Sequence, residues 1–485
     1  MLWVWALSIG LVLICLRHWL ESRRFPPGPS RLPIIGSLLS IKRYGSHILL
    51  DSTAMNHKFK KMMGYFLGPY MRVVIIHDFE LAKKIAYSDT YSGRLIGMYT
   101  TTMRGYGRPT GVICTEGHNW RTNRRFALST LKEFGFGNKG IWNIISEEAG
   151  LLMTSLKDKF DGQDIRVDQT FNISVFNILW RIVANKRYNP DDPEILELMQ
   201  VLAKVFKNAY IEEIFPILQY VGKELYGHSV KEKLTRTNKA VFEAVIKEHK
   251  DKLSSKEQPE DFIDAYLTEM SVNDKFTKED LVGLCMDFFE AGGETVGSTL
   301  SWTLLYLANH PDIQEQCREE VKARLGVRVP TLEDRGHGLT FVEATIMEVQ
   351  RCSSVAPGGL EHKALEDTII EGYHVKKGTL LYYNIHSFFN DKSYWGDPEN
   401  FRPERFLDES GSGLKKYERF IPFGFGKRVC MGESLAKAEL FIFTIMILQH
   451  LRIKLSPNHS KPDPNAYEAG ITRSPAPFYV QLEAL

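Results

Sequence analysis

Cys430 sits in the run Phe423-Gly424-Phe425-Gly426-Lys427-Arg428-Val429-Cys430-Met431-Gly432, directly before an apolar helical stretch from Glu433 to Leu451. A cysteine in a glycine-rich loop at a helix N-terminus meets unpaired backbone N–H groups and the positive end of the helix dipole. Both favour the thiolate, the form that binds metal. Gly426 and Gly432 would let the backbone approach a flat macrocycle, Phe423 would cover the sulfur, and Arg428 would pair with a carboxylate. An isolated cysteine is more often a small core hydrophobe, so the surrounding run is what favours ligation. A second pair, Glu294-Thr295, follows Ala291-Gly292-Gly293 and sets a carboxyl beside a hydroxyl in a helical segment. Such a set can pass protons into a dry pocket, although a Glu-Thr step alone is commonly a solvated pair.

Helices must carry most of this chemistry. Helical periodicity dominates the chain, with short β-rich runs at Val73-Val74-Ile75-Ile76 and Thr379-Leu380-Leu381-Tyr382-Tyr383, so the expected class is mainly α with a minor β region. The longest helical candidate opens at Thr277-Lys278-Glu279-Asp280, a capping-box pattern, and runs to Asn309 before Pro311 stops it. Gly292-Gly293 falls at its middle, where a weakened hydrogen-bond ladder and local distortion are expected.

The chain has 485 residues, 44% of them hydrophobic, and a formal net charge of +2. That size buries a large core, and the near-neutral balance argues against a nucleic-acid footprint and for small-molecule chemistry. Cys15, Cys114, Cys285, Cys317, Cys352 and Cys430 show no paired spacing, which suggests neither a disulfide framework nor a zinc site and suits a reducing compartment. Leu2 to Leu16 is almost wholly apolar and is followed by Arg17, Arg23 and Arg24, the pattern of an uncleaved signal anchor with its C-terminal side in the cytosol. The expected organisation is a transmembrane signal anchor over 1–20, a stiff proline-rich hinge over 21–36 around Pro26-Pro27-Gly28-Pro29, and one large domain over 37–485.

The Cys430 run resembles the haem-binding signature F-x-x-G-x-R-x-C-x-G of cytochromes P450, and it lies near the C-terminus as it does in that family. The resemblance implies the P450 fold, haem b ligated by Cys430, and O2 as cosubstrate. Thiolate ligation donates electron density and favours O–O cleavage. Ala291-Gly292-Gly293-Glu294-Thr295 is similar to the family's oxygen-activation motif, implying catalytic roles for Thr295 and Glu294, with Val296 where a second hydroxyl residue is frequent. Trp120 and Arg124 resemble W-x-x-x-R, whose side chains reach haem propionates. His362 resembles a propionate-contacting histidine of the microsomal drug- and steroid-hydroxylating clan, with Glu361 in place of the usual proline. Glu348-Val349-Gln350-Arg351 matches E-x-x-R, and Arg405 within Phe401-Arg402-Pro403-Glu404-Arg405-Phe406 is the matching third member of a buried charge network. Phe389 replaces a frequent histidine. These motifs occur in the family's order across essentially the whole chain.

By the same resemblance, pocket walls are expected at Met98, Met103 and Ile113, at Phe288, Phe289 and Ala291, and at Val355, Ala356 and Ile471, together suiting a lipophilic substrate. Electrons would come from NADPH through a flavoprotein reductase, with cytochrome b5 as a further donor. Arg121, Arg125, Lys132 and Lys427 would form a basic docking face. The implied location is the endoplasmic reticulum membrane, catalytic domain to the cytosol, with the segment Ile211 to Tyr226 also touching lipid. The expected reaction is monooxygenation of a steroid, fatty acid, terpenoid or xenobiotic. A haem-thiolate isomerase or dehydratase and a non-catalytic haem-binding membrane protein are the alternatives.

Overall fold

A computed structural model describes residues 2–40, 61–135, 139–167, 170–190 and 228–485, together with 59, 192–193, 195–199 and 214. The segment 211–226, apart from 214, lies outside the described residues. The first helix, α1 (Leu2–Arg24), ends in Arg23 and Arg24. Its side chains Trp5, Ile9, Val12, Leu13, Leu16 and Trp19 are exposed. Among the described residues no helix is long and apolar enough to cross a membrane. The proline segment after α1 is not a free spacer. Arg31 donates to Ser22 O and Gly64 O, each at 3.0 Å, and Glu21 pairs with Arg72 at 3.2 Å and with Lys376 at 2.8 Å, so the end of α1 is pinned to the domain.

The molecule is mainly helical with small sheets. Strands β1 (Met62–Leu67) and β2 (Met71–Ile76) pair antiparallel, and β2 lies parallel to β7 (Leu380–Tyr383), whose other neighbour is β4 (His362–Lys363). Strands β5 (Thr368–Ile370) and β6 (Tyr373–Val375) form a hairpin, and β9 (Tyr467–Ala469) pairs with β10 (Arg473–Pro475). A third sheet has the order β3 (Asp164–Val167), β11 (Phe478–Ala484), β8 (Leu451–Leu455).

The helices that position the site are α2 (Phe79–Tyr87), α3 (Gly117–Glu133), α4 (Lys139–Phe160), α5 (Asn172–Ala184), α6 (His228–Leu253), α7 (Phe262–Val272), α8 (Lys278–Asn309), α9 (Pro311–Leu325), α10 (Thr340–Ser353) and α11 (Glu433–His450). Helix α8, 32 residues long, runs through the centre and packs on α5, α10 and α11. Thr277 caps it, its hydroxyl oxygen accepting from Asp280 N at 3.1 Å, so the capping signal in the sequence was a true one.

Gly292 and Gly293 do not interrupt α8, which stays helical throughout. Close neighbours on α5 explain Gly292, and Gly297 one turn further on. A Cβ on Gly292 would lie 2.5 Å from Leu179 Cδ2 of α5, and one on Gly297 would lie 2.1 Å from Asn172 Oδ1. The glycines let α5 come close to α8. Phe288 and Phe289, expected on the pocket wall, turn into this same helix packing. Phe288 meets Phe262 edge-on at 5.2 Å, and Phe289 meets Phe176 at 5.1 Å and Phe242 at 5.7 Å.

The candidate active site

The loop before α11 is closed by its own backbone: Cys430 N donates to Phe423 O at 3.1 Å and Val429 N to Gly426 O at 3.2 Å. Gly426 has φ +78°, which a side chain would strain, and a Cβ there would lie 2.4 Å from Ala86 O of α2. Gly426 therefore admits α2. A Cβ on Gly432 would lie 4.0 Å from Cys430 Sγ with nothing nearer, so this glycine keeps the approach to the sulfur open. The aromatic ring of Phe423 carries the Lys437 ammonium 5.5 Å from its centroid.

Cys430 is free and exposed, yet desolvated by surrounding protein, so it opens onto an internal space. Burial pushes its thiol up, and this outweighs the lowering from the Gly432 N–H and the Arg124 charge. A metal bound at this sulfur would favour its thiolate form.

Beside this loop stands a cluster of cations. Arg124 of α3 donates to Val429 O at 2.6 Å. Arg428 donates to the carbonyls of Ser92 at 2.7 Å, Thr115 at 2.7 Å and Val112 at 3.2 Å, and its guanidinium lies 3.9 Å over the Trp120 ring. Arg94, absent from the sequence-derived set, is buried at 6% exposure, and among the described residues its Nε has no hydrogen-bond partner. Burial, with Arg94 and Arg124 next, drives Arg428 down to about 8, far below any free guanidinium. His362, whose Nδ1 faces Tyr91 O at 3.0 Å, is pushed to about 3 by burial and then by Arg94 and Arg428. Of the nearby carboxylates, Glu116 pairs with Lys363 at 2.8 Å and accepts from Arg94 N at 3.0 Å, and Glu361 accepts from Leu95 N at 3.1 Å. Glu361 thus ties down the Arg94 segment where a proline was expected.

A largely desolvated cluster of three arginines, none in an ion pair among the described residues, stands beside an open sulfur and fits haem: the propionates would pair with the arginines and Cys430 would ligate the iron. Trp120, Arg124, His362 and Arg428 come together here, and Arg94 joins them. Its signal in the sequence was weak, because a single arginine carries no spacing pattern.

On α8, Ala291 is exposed although most of the helix is buried, and Thr295 is partly exposed beside it; Thr295 Oγ1 donates to Ala291 O at 3.0 Å. Glu294 points elsewhere. Its carboxylate, 6% exposed, accepts from Asn172 Nδ2 at 3.0 Å, Ser474 Oγ at 3.2 Å and Ser298 Oγ at 3.3 Å. The acid and hydroxyl are therefore neighbours in sequence with separate hydrogen-bond partners. Of the remaining pocket candidates, Met98, Ile113, Val355 and Ile471 are partly buried or buried and Met103 is 8% exposed. Ala356 accepts from Gly359 N at 3.3 Å in a turn after α10.

Glu348 and Arg351 of α10 are both fully buried, and Arg405 is 6% exposed. Arg351 donates to Glu348 at 2.8 Å and 2.7 Å, and Arg405 to Glu348 Oε1 at 3.0 Å. Carbonyls of Phe389, Pro398 and Trp395 take the remaining N–H groups at 2.9, 2.9 and 3.1 Å, so the charges are almost fully satisfied. Phe389 stacks on Phe420 with centroids 5.8 Å apart.

A family model described as Cytochrome P450 matches residues 26–482. Similar proteins include a farnesoate epoxidase of Bombyx mori, 34% identical with 98% of each chain covered. Cytochrome P450 2B9 of Mus musculus is 32% identical, covering 97% of this chain and 96% of the relative. Cytochrome P450 2U1 of Homo sapiens is 32% identical, covering 98% and 93%.

Proposed function

This chain belongs to the cytochrome P450 family and is a monooxygenase, and from that premise we propose that it oxidises a lipophilic small molecule with electrons from NADPH delivered by a flavoprotein reductase. The observation that carries the reading is the open Cys430 sulfur beside Arg94, Arg124 and Arg428, buried or partly buried guanidiniums that make no ion pair among the described residues. Haem held there supplies oxygen activation and atom transfer, and thiolate ligation favours O–O cleavage. The protein's own part is binding and proton supply. Trp120, Arg94, Arg124, His362 and Arg428 hold the cofactor's acidic edge. Thr295, on the accessible side of α8, holds a proton at Oγ1, and the neighbouring Glu294 replenishes it through water. The buried α8–α5 seam excludes bulk solvent from the back of the site.

Isoprenoid acids and their derivatives are the first substrates to test, given the relative named farnesoate epoxidase. The exposed apolar side chains of α1, followed by Arg17, Arg23 and Arg24, support attachment to the endoplasmic reticulum membrane with the domain in the cytosol. The basic residues Arg121, Arg125, Lys132 and Lys427 support a reductase-docking face. Turnover of a C15 isoprenoid with reductase, NADPH and 18O-labelled O2 tests the reading. One labelled oxygen per product is expected. Rearrangement of a hydroperoxide without NADPH, and no labelled product, would favour the isomerase alternative.

A further inference from the structure

Glu290, immediately before Ala291, has a side chain 13% exposed although protein surrounds it and desolvates it. It therefore opens onto an internal space on the flank of α8, five residues before Thr295 and about 7.5 Å along the helix axis at ~1.5 Å per residue. We propose, building on the monooxygenase reading above, that Glu290 positions the substrate by donating a hydrogen bond from a protonated carboxyl to a neutral acceptor such as an ester or ketone carbonyl.

The charge arrangement leads there. Arg104 is fully buried and reaches two carboxyls, Asp287, in contact with its Nη2, and Glu290, 3.4 Å from its Nε. Asp287 takes the better donors: besides Arg104, its Oδ2 accepts from Val112 N at 2.5 Å and Ile113 N at 3.1 Å. Among the described residues Glu290 has only the long Arg104 contact and the Tyr99 hydroxyl. One buried cation cannot keep two desolvated carboxylates ionised, so the proton resides on the less supported group. Burial and the Asp287 charge both push Glu290 up. The buried guanidinium disfavours a second cation at this spot, and the Asp287 charge disfavours an anionic ligand head. A neutral acceptor remains, and a desolvated O–H donor discriminates strongly for one, because a ligand without an acceptor leaves it unpaired.

The test is ligand-induced spectral titration of the full-length holoenzyme with a C15 isoprenoid as its methyl ester, its free acid, its primary amine and the hydrocarbon of equal length. Wild type is expected to bind the ester at least tenfold more tightly than the acid at pH 8 and than the amine. Glu290→Leu is expected to collapse the ester-to-hydrocarbon affinity ratio tenfold or more, while Glu290→Gln, which keeps a donor, holds it within about threefold. An unchanged ratio in Glu290→Leu, or tighter binding of the free acid or amine, overturns the proposal. If the leucine variant does not fold, the ester-to-acid ratio of wild type and its retention in Glu290→Gln decide the matter. Titration reads binding alone, so absence of NADPH-dependent product would count against the monooxygenase reading while leaving this result intact.

Discussion

The Arg428 guanidinium lies 3.9 Å over the Trp120 ring while its N–H groups bind carbonyls from two chain segments, so one side chain joins the cysteine loop to α3 and to the 92–115 region. A lysine has one charge but neither the fork nor the flat face. Arg428→Lys should lower haem content per protein several-fold while the helical circular dichroism remains. Full haem occupancy in the variant would show that the cationic cluster is not the acidic-edge site.

Glu348 serves Arg351, Arg405 and the Arg402 backbone N–H, the last at 3.0 Å. Glu348→Ala strands two buried guanidiniums and should destabilise by roughly 3–5 kcal/mol. Denaturant unfolding of the haem-free protein measures this, and a change under about 1 kcal/mol would mean that water replaces the carboxylate.

Thr295→Ala removes the accessible hydroxyl of α8 and leaves the Glu294 network untouched. NADPH consumption should continue while product per NADPH falls and hydrogen peroxide rises. Glu294→Ala acts differently, since it leaves Asn172, Ser298 and Ser474 short of an acceptor and should also cost about 1–3 kcal/mol of stability. Undiminished coupling in Thr295→Ala would remove that residue from proton delivery.

His77 is 8% exposed, and burial lowers it to about 4 from an ordinary 6.5. Below pH 6.5 the unfolded chain takes up a proton that the folded chain refuses until about pH 4. The stability from a neutral buried His77 is therefore present above pH 6.5 and lost as pH falls, by about 3 kcal/mol once below both values. Comparing His77→Phe with wild type at pH 7 and pH 4 should show that difference disappear from the variant. Parallel pH profiles would contradict it.

What could be read from the sequence was local. The i, i+3 spacing of Glu348 and Arg351 and the Thr277 cap depend on residues a helical turn apart, and both appear as expected. The parts that could not be read depend on distant pairs. Arg104 and Asp287 meet across 183 positions, Gly426 receives Ala86 of a remote helix, and Gly292 makes room for Leu179. The resemblance put Phe288 and Phe289 on the pocket wall, yet each ring packs against Phe262, Phe176 or Phe242 from distant parts of the chain. The surroundings of Cys430 follow the same rule, because the dipole of α11 is a local property and the desolvation of the thiol is a property of the whole fold.

The central claim is that Cys430 ligates haem iron, and the reduced carbon monoxide spectrum of the full-length protein tests it most directly. Wild type, Cys114→Ala and Cys352→Ala should show the thiolate-type band, and Cys430→Ala should lack it. A thiolate-type band that persists in Cys430→Ala, or is lost in Cys352→Ala with Cys430 intact, would contradict the assignment.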